Sequence, residues 1–217
     1  GLGLCLYYSH GRDWKHPHAP NNDQWGGAAR PNYETPEPTY AVPPAHDLNY
    51  YLDFMSAQID ELLSNYGPIA SIWLDGIGVP LHPKGEDGNP IEGFDPRTDG
   101  DAFKCAELYD LIWSKQPQVL ISYKQGYLHT EDYFAPELPW IEKGMEIPNP
   151  DNKPWEVCGC LSGGWGYTAG TEHKSADDVM AMLEKFCGKG GNLLLNTGPL
   201  PDGTIDPRDV ATLKEVG

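Results

Sequence analysis

The sequence holds no C-x-x-C pair and no even set of cysteines. Its five stand at 5, 105, 158, 160 and 187, which excludes a disulfide framework and reads as buried free thiols. Cys158 and Cys160 would share one face of an extended segment, yet no Cys/His cluster completes a metal site around them. His16 and His18 have the spacing of half a metal site and lack a defined third ligand. Positive charge is scarce too. Fifteen Lys and Arg face 32 Asp and Glu, for a net charge of −17. The chain therefore offers no basic footprint to nucleic-acid phosphates and none to an anionic membrane surface. No apolar run approaches the ~20 residues of a membrane span. No G-x-G-x-x-G follows any predicted strand, so the dinucleotide-binding fingerprint is missing. No metal, nucleic acid or membrane is expected.

What the chain does have is aromatic surface: seven Trp and twelve Tyr in 217 residues, with 39% hydrophobic residues. That is a globular composition, long enough for one domain with a sizeable core. An acidic, aromatic-rich protein suits a neutral, hydroxylated ligand such as a sugar, whose apolar ring face stacks on aromatic rings while its hydroxyls find polar atoms.

Strand and helix signals alternate. Leu2 to Ser9 reads as a strand, and a Pro-, Gly-, Trp- and His-rich loop runs from Gly11 to His46. Asp47 caps a helix whose Leu48, Leu52, Met55, Ile59 and Leu62 recur at helical spacing, with Phe54 and Leu63 beside them; Gly67 and Pro68 end it. Ile69 to Leu74 is a second strand, Asp101 to Lys115 a helix, and Val119 to Tyr123 a third strand. A long loop then runs to Pro154, before a fourth strand from Trp155 to Leu161. Ser175 with Asp178 forms a capping box for the next helix. Asn192 to Asn196 is a fifth strand, and Asp206 with Pro207 starts a last helix. Short strands, apolar nearly throughout, are the mark of a parallel sheet covered on both faces. The long polar loops at 10–46, 76–100 and 124–154 all follow strands, while the helix-to-strand joints are short. That asymmetry predicts a (β/α)8 barrel with its active site at the strand C-termini. The opening reads as a strand already under way and the closing helix is short. The expectation is one catalytic barrel domain over 1–217, incomplete, with its first strands and C-terminal part cut away.

The stretch SIWLDGIG puts a carboxylate, Asp75, where an apolar strand runs into a glycine turn, at the mouth of such a barrel. An aspartate there can simply cap a turn. It can also serve chemistry, because glycoside hydrolysis uses two carboxyl groups across a sugar pocket. Glu131, Asp132 and Glu137 in HTEDYFAPE, and Glu156 in PWEVCGC, are candidates for the second. Glu137 lies in an aromatic loop, where partial desolvation would favour a protonated acid. Glu156 opens a strand and can equally support a pocket floor. Tyr8, Trp14, Trp25, Trp73 and Trp165 are candidate platforms for a sugar ring, although for any one aromatic core packing is the plainer reading.

Five segments together carry a family resemblance: YYSHGRDW with the loop to Trp25, IWLDG, DYFAPE, WEVCGCLSGGWGY and KGGNLLLNTGPLPDGTI. The chain resembles the catalytic domain of retaining α-L-fucosidases, glycoside hydrolase family 29, over nearly its whole length. The resemblance implies hydrolysis of terminal α-L-fucose from a fucosylated oligosaccharide or glycoconjugate, with no metal or organic cofactor. By resemblance Asp75 matches the nucleophile, and Glu137 the acid/base, with Glu131 the next choice. Tyr8, His10, Trp25, Trp73, Glu156, Trp165 and Tyr167 are implied around the sugar. The family's sugar-binding histidines and a tryptophan upstream of YYS are not in this chain, so the fragment alone is expected to lack part of the fucose cradle. An extracytoplasmic site of action, whether periplasmic, secreted or lysosomal, follows from the resemblance alone. Two other readings stay open: another retaining exo-glycosidase such as an α-galactosidase, and a glycan-binding barrel without catalysis.

Overall fold

The computed structural model describes residues 2–10, 13, 16, 18–19, 48–75, 100–101, 103–124, 128, 130–143 and 152–217. They fall into two compact units, Gly1–Glu131 and Asp132–Gly217. The first contains β1 (Cys5–Ser9), α1 (Leu48–Asn65), β2 (Ser71–Asp75), α2 (Cys105–Lys115) and β3 (Leu120–Ser122). The second contains α3 (Leu138–Glu142), β4 (Glu156–Cys160), α4 (Ala176–Phe186), β5 (Asn192–Asn196) and α5 (Pro207–Val216). No helix among the described residues is long and apolar enough to cross a membrane.

Among the described residues all strand pairing is parallel, in the order β1-β2-β3 in one unit and β4-β5 in the other. Parallel neighbours cannot be joined by a tight turn, so a crossover must lie between them; α1 and α2 supply it in the first unit and α4 in the second. Along each strand successive side chains alternate between faces. Ile72, Leu74 and Ile121 are fully buried against Tyr51, Leu52, Met55, Ile59 and Leu63 of α1 and Leu108, Tyr109 and Ile112 of α2. Burying each such aliphatic chain stabilises the fold by about 1.5–3 kcal/mol. The helical stripe differs in detail from the predicted one. Tyr51 is buried, its hydroxyl donating to the His10 carbonyl at 2.9 Å, whereas Phe54 is exposed.

Of the thiols read as buried, Cys105 and Cys158 are, whereas Cys5 and Cys187 are exposed. The predicted helix from Asp101 is interrupted by a turn at 103–104. Lys104 is left-handed (φ 50°) just before Cys105, and Phe103 joins the core from outside α2. In the second unit the long predicted loop to Pro154 contains structure. Phe134 and Glu137 make parallel bridges to Trp155 and Cys158, and α3 follows at once. A smaller core gathers Leu138, Val157, Met182 and Phe186, flanked by Trp155, Leu193 and Leu195. Gly191 is needed where α4 returns to β5, since a side-chain carbon there would lie 2.4 Å from the Trp155 ring. The Ser175–Asp178 capping box is present: Ser175 N–H donates to Asp178 Oδ2 at 2.8 Å and Asp178 N–H to Ser175 Oγ at 3.2 Å. Asp206 caps α5 by accepting from the Arg208 N–H at 2.9 Å.

His10 belongs to the first core. Its ring is fully buried, edge-on to Phe103 with centroids 5.7 Å apart and tilted against Tyr123 at 5.8 Å. Burial lowers its pKa to about 3, only partly offset by a backbone contact at Phe103. The folded state therefore keeps the imidazole neutral in a range where the unfolded chain protonates it. The contribution is fully present above about pH 6.5 and is lost as pH falls toward 3, at up to about 1.4 kcal/mol per pH unit. Denaturant unfolding of the wild type between pH 7 and 4 should show this slope. His10→Phe should remove roughly 3 kcal/mol of the acid-induced loss over that range; parallel pH profiles for the two proteins would refute a neutral, core-buried His10.

Candidate active site

Asp75 is the last residue of β2 and stands opposite Ser9. Its carbonyl accepts the His10 N–H at 2.6 Å, so the backbone pairing runs to the very tip of the strand. Counting back by two along β2 puts Trp73 and Ser71 on the same face as Asp75, away from the helix-covered Ile72 and Leu74. The register sets Tyr7 opposite Trp73, and Ser122 opposite Trp73 on the other side. Tyr7 and Trp73 stack with centroids 5.4 Å apart and planes 22° apart.

Both carboxylate oxygens of Asp75 are held. The Tyr7 hydroxyl donates to Oδ2 at 2.7 Å, and Lys124 Nζ sits 2.9 Å from Oδ1. Both charged side chains remain partly open to solvent, 28% for Lys124 and 21% for Asp75. Burial, and then the hydrogen bond to Asp75, push the Tyr7 phenol up to about 12, so it is a donor throughout the physiological range. An aromatic platform and a fixed carboxylate thus share one strand tip. The Trp73 indole Nε1 is buried and has no hydrogen-bond partner among the described residues.

Tyr8, expected beside the sugar, faces the other way. Its hydroxyl donates to Gln58 of α1 at 2.7 Å and its ring packs on the helix-side core. Strand parity gives Tyr7 the place next to Asp75, and pairing IWLD with LYYS in register would have shown it. Lys124, just beyond β3 in a left-handed conformation (φ 40°), carried no signal in the sequence. The His10 ring is in the core and only its backbone touches Asp75. Trp14 and Trp25 lie outside the described residues. His16 and His18 do meet: the His18 N–H donates to His16 Nδ1 at 3.3 Å, and His16 stacks on Phe54 at 4.8 Å. Among the described residues no three His, Cys, Asp or Glu side chains are grouped as metal ligands.

Glu131 belongs to the first unit. It is fully buried, and its Oε1 accepts from the Tyr109 hydroxyl and the Leu128 N–H, both at 2.9 Å. Glu137 belongs to the second. It is half-buried, bridges Cys158 and is the residue before α3, so it sits in a strand-like segment of the predicted aromatic loop. The bridge puts it on the β4 face that carries Cys158 and Cys160, and its charge contributes to the raised pKa of the Cys160 thiol, which is chiefly due to burial. Glu156 shares that face at the opposite end. It opens β4, roughly 13 Å of strand away from Cys160, and accepts from Asn192 Nδ2 at 2.6 Å. Burial raises its pKa and the Asn192 bond partly offsets that. Trp165 and Tyr167, in the loop after β4, are about half exposed.

The description "Alpha-L-fucosidase" belongs to a family model that matches residues 1–217. Among curated proteins, a putative alpha-L-fucosidase 1 of Oryza sativa subsp. japonica is 27% identical over 199 residues, covering 82% of this chain and 34% of the rice protein. The tissue alpha-L-fucosidase of Homo sapiens is 33% identical over 96 residues, 42% of this chain and 18% of the human one. Of solved structures, alpha-L-fucosidase isoenzyme 1 from Paenibacillus thiaminolyticus superposes on all of this chain with TM-score 0.74 and 32% identity, over 48% of its own length. Alpha-L-fucosidase AlfC from Lactobacillus casei, in complex with alpha-L-fucose product, gives TM-score 0.70 over all of this chain and 59% of that one; at 23% identity the likeness concerns the fold. The chain spans about a third of its rice relative and about half of the Paenibacillus one. With the family model matched from first residue to last, the chain belongs to the alpha-L-fucosidase family.

Proposed function

We propose that the protein acts as an exo-glycosidase that releases terminal α-L-fucose from fucosylated glycans with retention of configuration. The observation that carries this is Asp75 at the tip of β2, its two oxygens held by Tyr7 and Lys124 beside the Trp73 face. Family membership supplies the sugar. The parallel βα units, together with the long polar segments that the sequence places after the strand C-termini, support a (β/α)8 barrel of which 1–217 forms part.

Asp75 attacks the anomeric carbon and Glu137 protonates the departing glycosidic oxygen, giving a fucosyl-enzyme. Glu137 then takes a proton from water, which displaces Asp75 and frees fucose. This division of labour requires the two carboxyl groups to come within about 5–5.5 Å of each other in the working enzyme. Tyr7 and Lys124 suit the first role. Each carboxylate oxygen keeps a lone pair beyond the one it shares, so the plane of the group is set while one oxygen attacks. The nearby ammonium offsets the negative charge as Asp75 departs in the second step.

Tests belong in a protein of the family's full length. Asp75→Asn should lower hydrolysis of an aryl α-L-fucoside by about a thousandfold or more. Asp75→Ala with azide should yield fucosyl azide of inverted configuration. Normal turnover in Asp75→Asn would end the assignment, and preference for an aryl α-galactoside would redirect the substrate. The two tyrosines divide sharply. Tyr7→Phe should cost roughly tenfold to a hundredfold in kcat/KM, as befits a hydrogen bond to a charged group. Tyr8→Phe should alter stability by about 1 kcal/mol and leave kcat/KM nearly unchanged. Glu137→Gln should spare fucosides with activated leaving groups and lose those with poor ones. That pattern appearing in Glu131→Gln instead would transfer the role.

A further inference from the structure

Residues 162–173, between β4 and α4, contain four glycines and no helix or strand. Such a segment has much conformational freedom to lose and little of its own to hold it. Its base is closed by the Lys174 N–H donating to the Leu161 carbonyl at 2.7 Å, while the Leu161 N–H donates to the Asn196 carbonyl at 2.9 Å. Within it the Thr171 hydroxyl donates to the Thr168 carbonyl at 3.1 Å, and further contacts come from the end of β5 and the stretch after it. Asn196 Nδ2 donates to the Trp165 carbonyl at 3.0 Å. Gly198 lies so close to the 166–167 peptide that a side-chain carbon would come within 2.8–2.9 Å of it.

One buried carboxylate ties these parts together. Asp209, in the first turn of α5, is 1% exposed. Its Oδ1 meets His173 Nδ1 at 2.5 Å and its Oδ2 accepts from the Thr197 hydroxyl at 2.6 Å. His173 is the end of the loop, Thr197 the exit of β5, and Asp209 the start of α5. One turn further along the helix, the Thr212 hydroxyl donates to the Lys174 carbonyl at 3.1 Å. A carboxylate this deeply buried costs stability unless both oxygens are satisfied, so the three segments are held in one arrangement.

We propose that Asp209, through its clasp on His173 and Thr197, is a positioning residue that holds the 162–173 loop and with it the Trp165 and Tyr167 rings in one orientation for the sugar. The use of those rings rests on the proposed fucosidase reading; the clasp itself does not. Replacing the acid with its amide removes the charge and puts an NH2 donor in place of one acceptor oxygen, so one of the two contacts must reverse its direction. It loosens the loop and leaves β4 and α4 intact.

Hydrogen exchange on the full-length protein tests this first. In Asp209→Asn, the Leu161 and Lys174 amides, whose hydrogen bonds close the loop's base, should exchange about tenfold faster, with β4 and α4 unchanged within about twofold. The isosteric Thr197→Val should do the same more weakly. Equal loss of protection across α4, α5 and β5, or none at Leu161 and Lys174, would overturn the proposal. The kinetic arm adds a readout that general destabilisation would not mimic. With an aryl α-L-fucoside, Asp209→Asn should raise KM several-fold at nearly constant kcat, and should have no further effect in a Trp165→Ala background. Independent, multiplying effects of the two substitutions would refute the route through Trp165. A wild type that does not cleave the fucoside would count against the fucosidase reading alone, since the exchange result decides the clasp without substrate.

Discussion

The packing of α1 and α2 onto one face of the β1–β2–β3 sheet governs what the other face can do. Once Ile72, Leu74 and Ile121 are committed to the helices, the two-residue period of a strand leaves no freedom for their neighbours. Ser71, Trp73 and Asp75 must point the other way, and the parallel register brings Tyr7 to Trp73 and Ser9 to Asp75. A slip of one residue would move the carboxylate into the apolar core, where an unpaired charge is costly. The hydrophobic effect thus aims the acid.

How much of this could be read from the sequence depended on the range of the signal. Local signals were legible. The Leu52, Met55, Ile59 series, the Ser175–Asp178 box and the Asp206–Pro207 start each sit within a few residues of the structure they dictate. Asp75 was conspicuous because a charge at the end of an apolar run violates the local pattern. What failed were choices set by partners far along the chain. Tyr7 and Tyr8 are equivalent as letters, and only the pairing with β2 separates them. Lys124 gains meaning from an aspartate 49 positions earlier. The segment 133–142 holds prolines at 136 and 139 and looks like loop, yet its bridges to β4 and its short helix are tertiary facts.

Two carboxylates on one face of the second unit show the same logic in electrostatics. Glu137 and Glu156 both border β4, but at different heights along it. Glu156 is bound to Asn192 at the end where the strands begin, the end that in barrel enzymes serves stability. Glu137 stands two residues along, at the level of Cys158, and leads directly into α3. Of the two, only Glu137 leans toward the strand exit where the loop with Trp165 departs.

The Asp75 arrangement also explains why a charged group can be tolerated there. A lone half-buried carboxylate against Trp73 would be poorly solvated. Lys124, just past β3, compensates the charge, and Tyr7, within β1, supplies a directed donor. Because the ion pair keeps part of its solvent access, its net worth to stability is small, on the order of 1 kcal/mol or less. Its value lies in geometry, since two donors from two strands fix a carboxylate that one could not. A site held weakly by energy but tightly by direction can exchange one partner for a ligand, the sugar in the proposed reading, without unfolding its surroundings. The buried Asp209 clasp has the opposite character, with both oxygens sealed from water. It is suited to holding a loop still and not to exchanging ligands. The two acids divide along the line that solvent access draws.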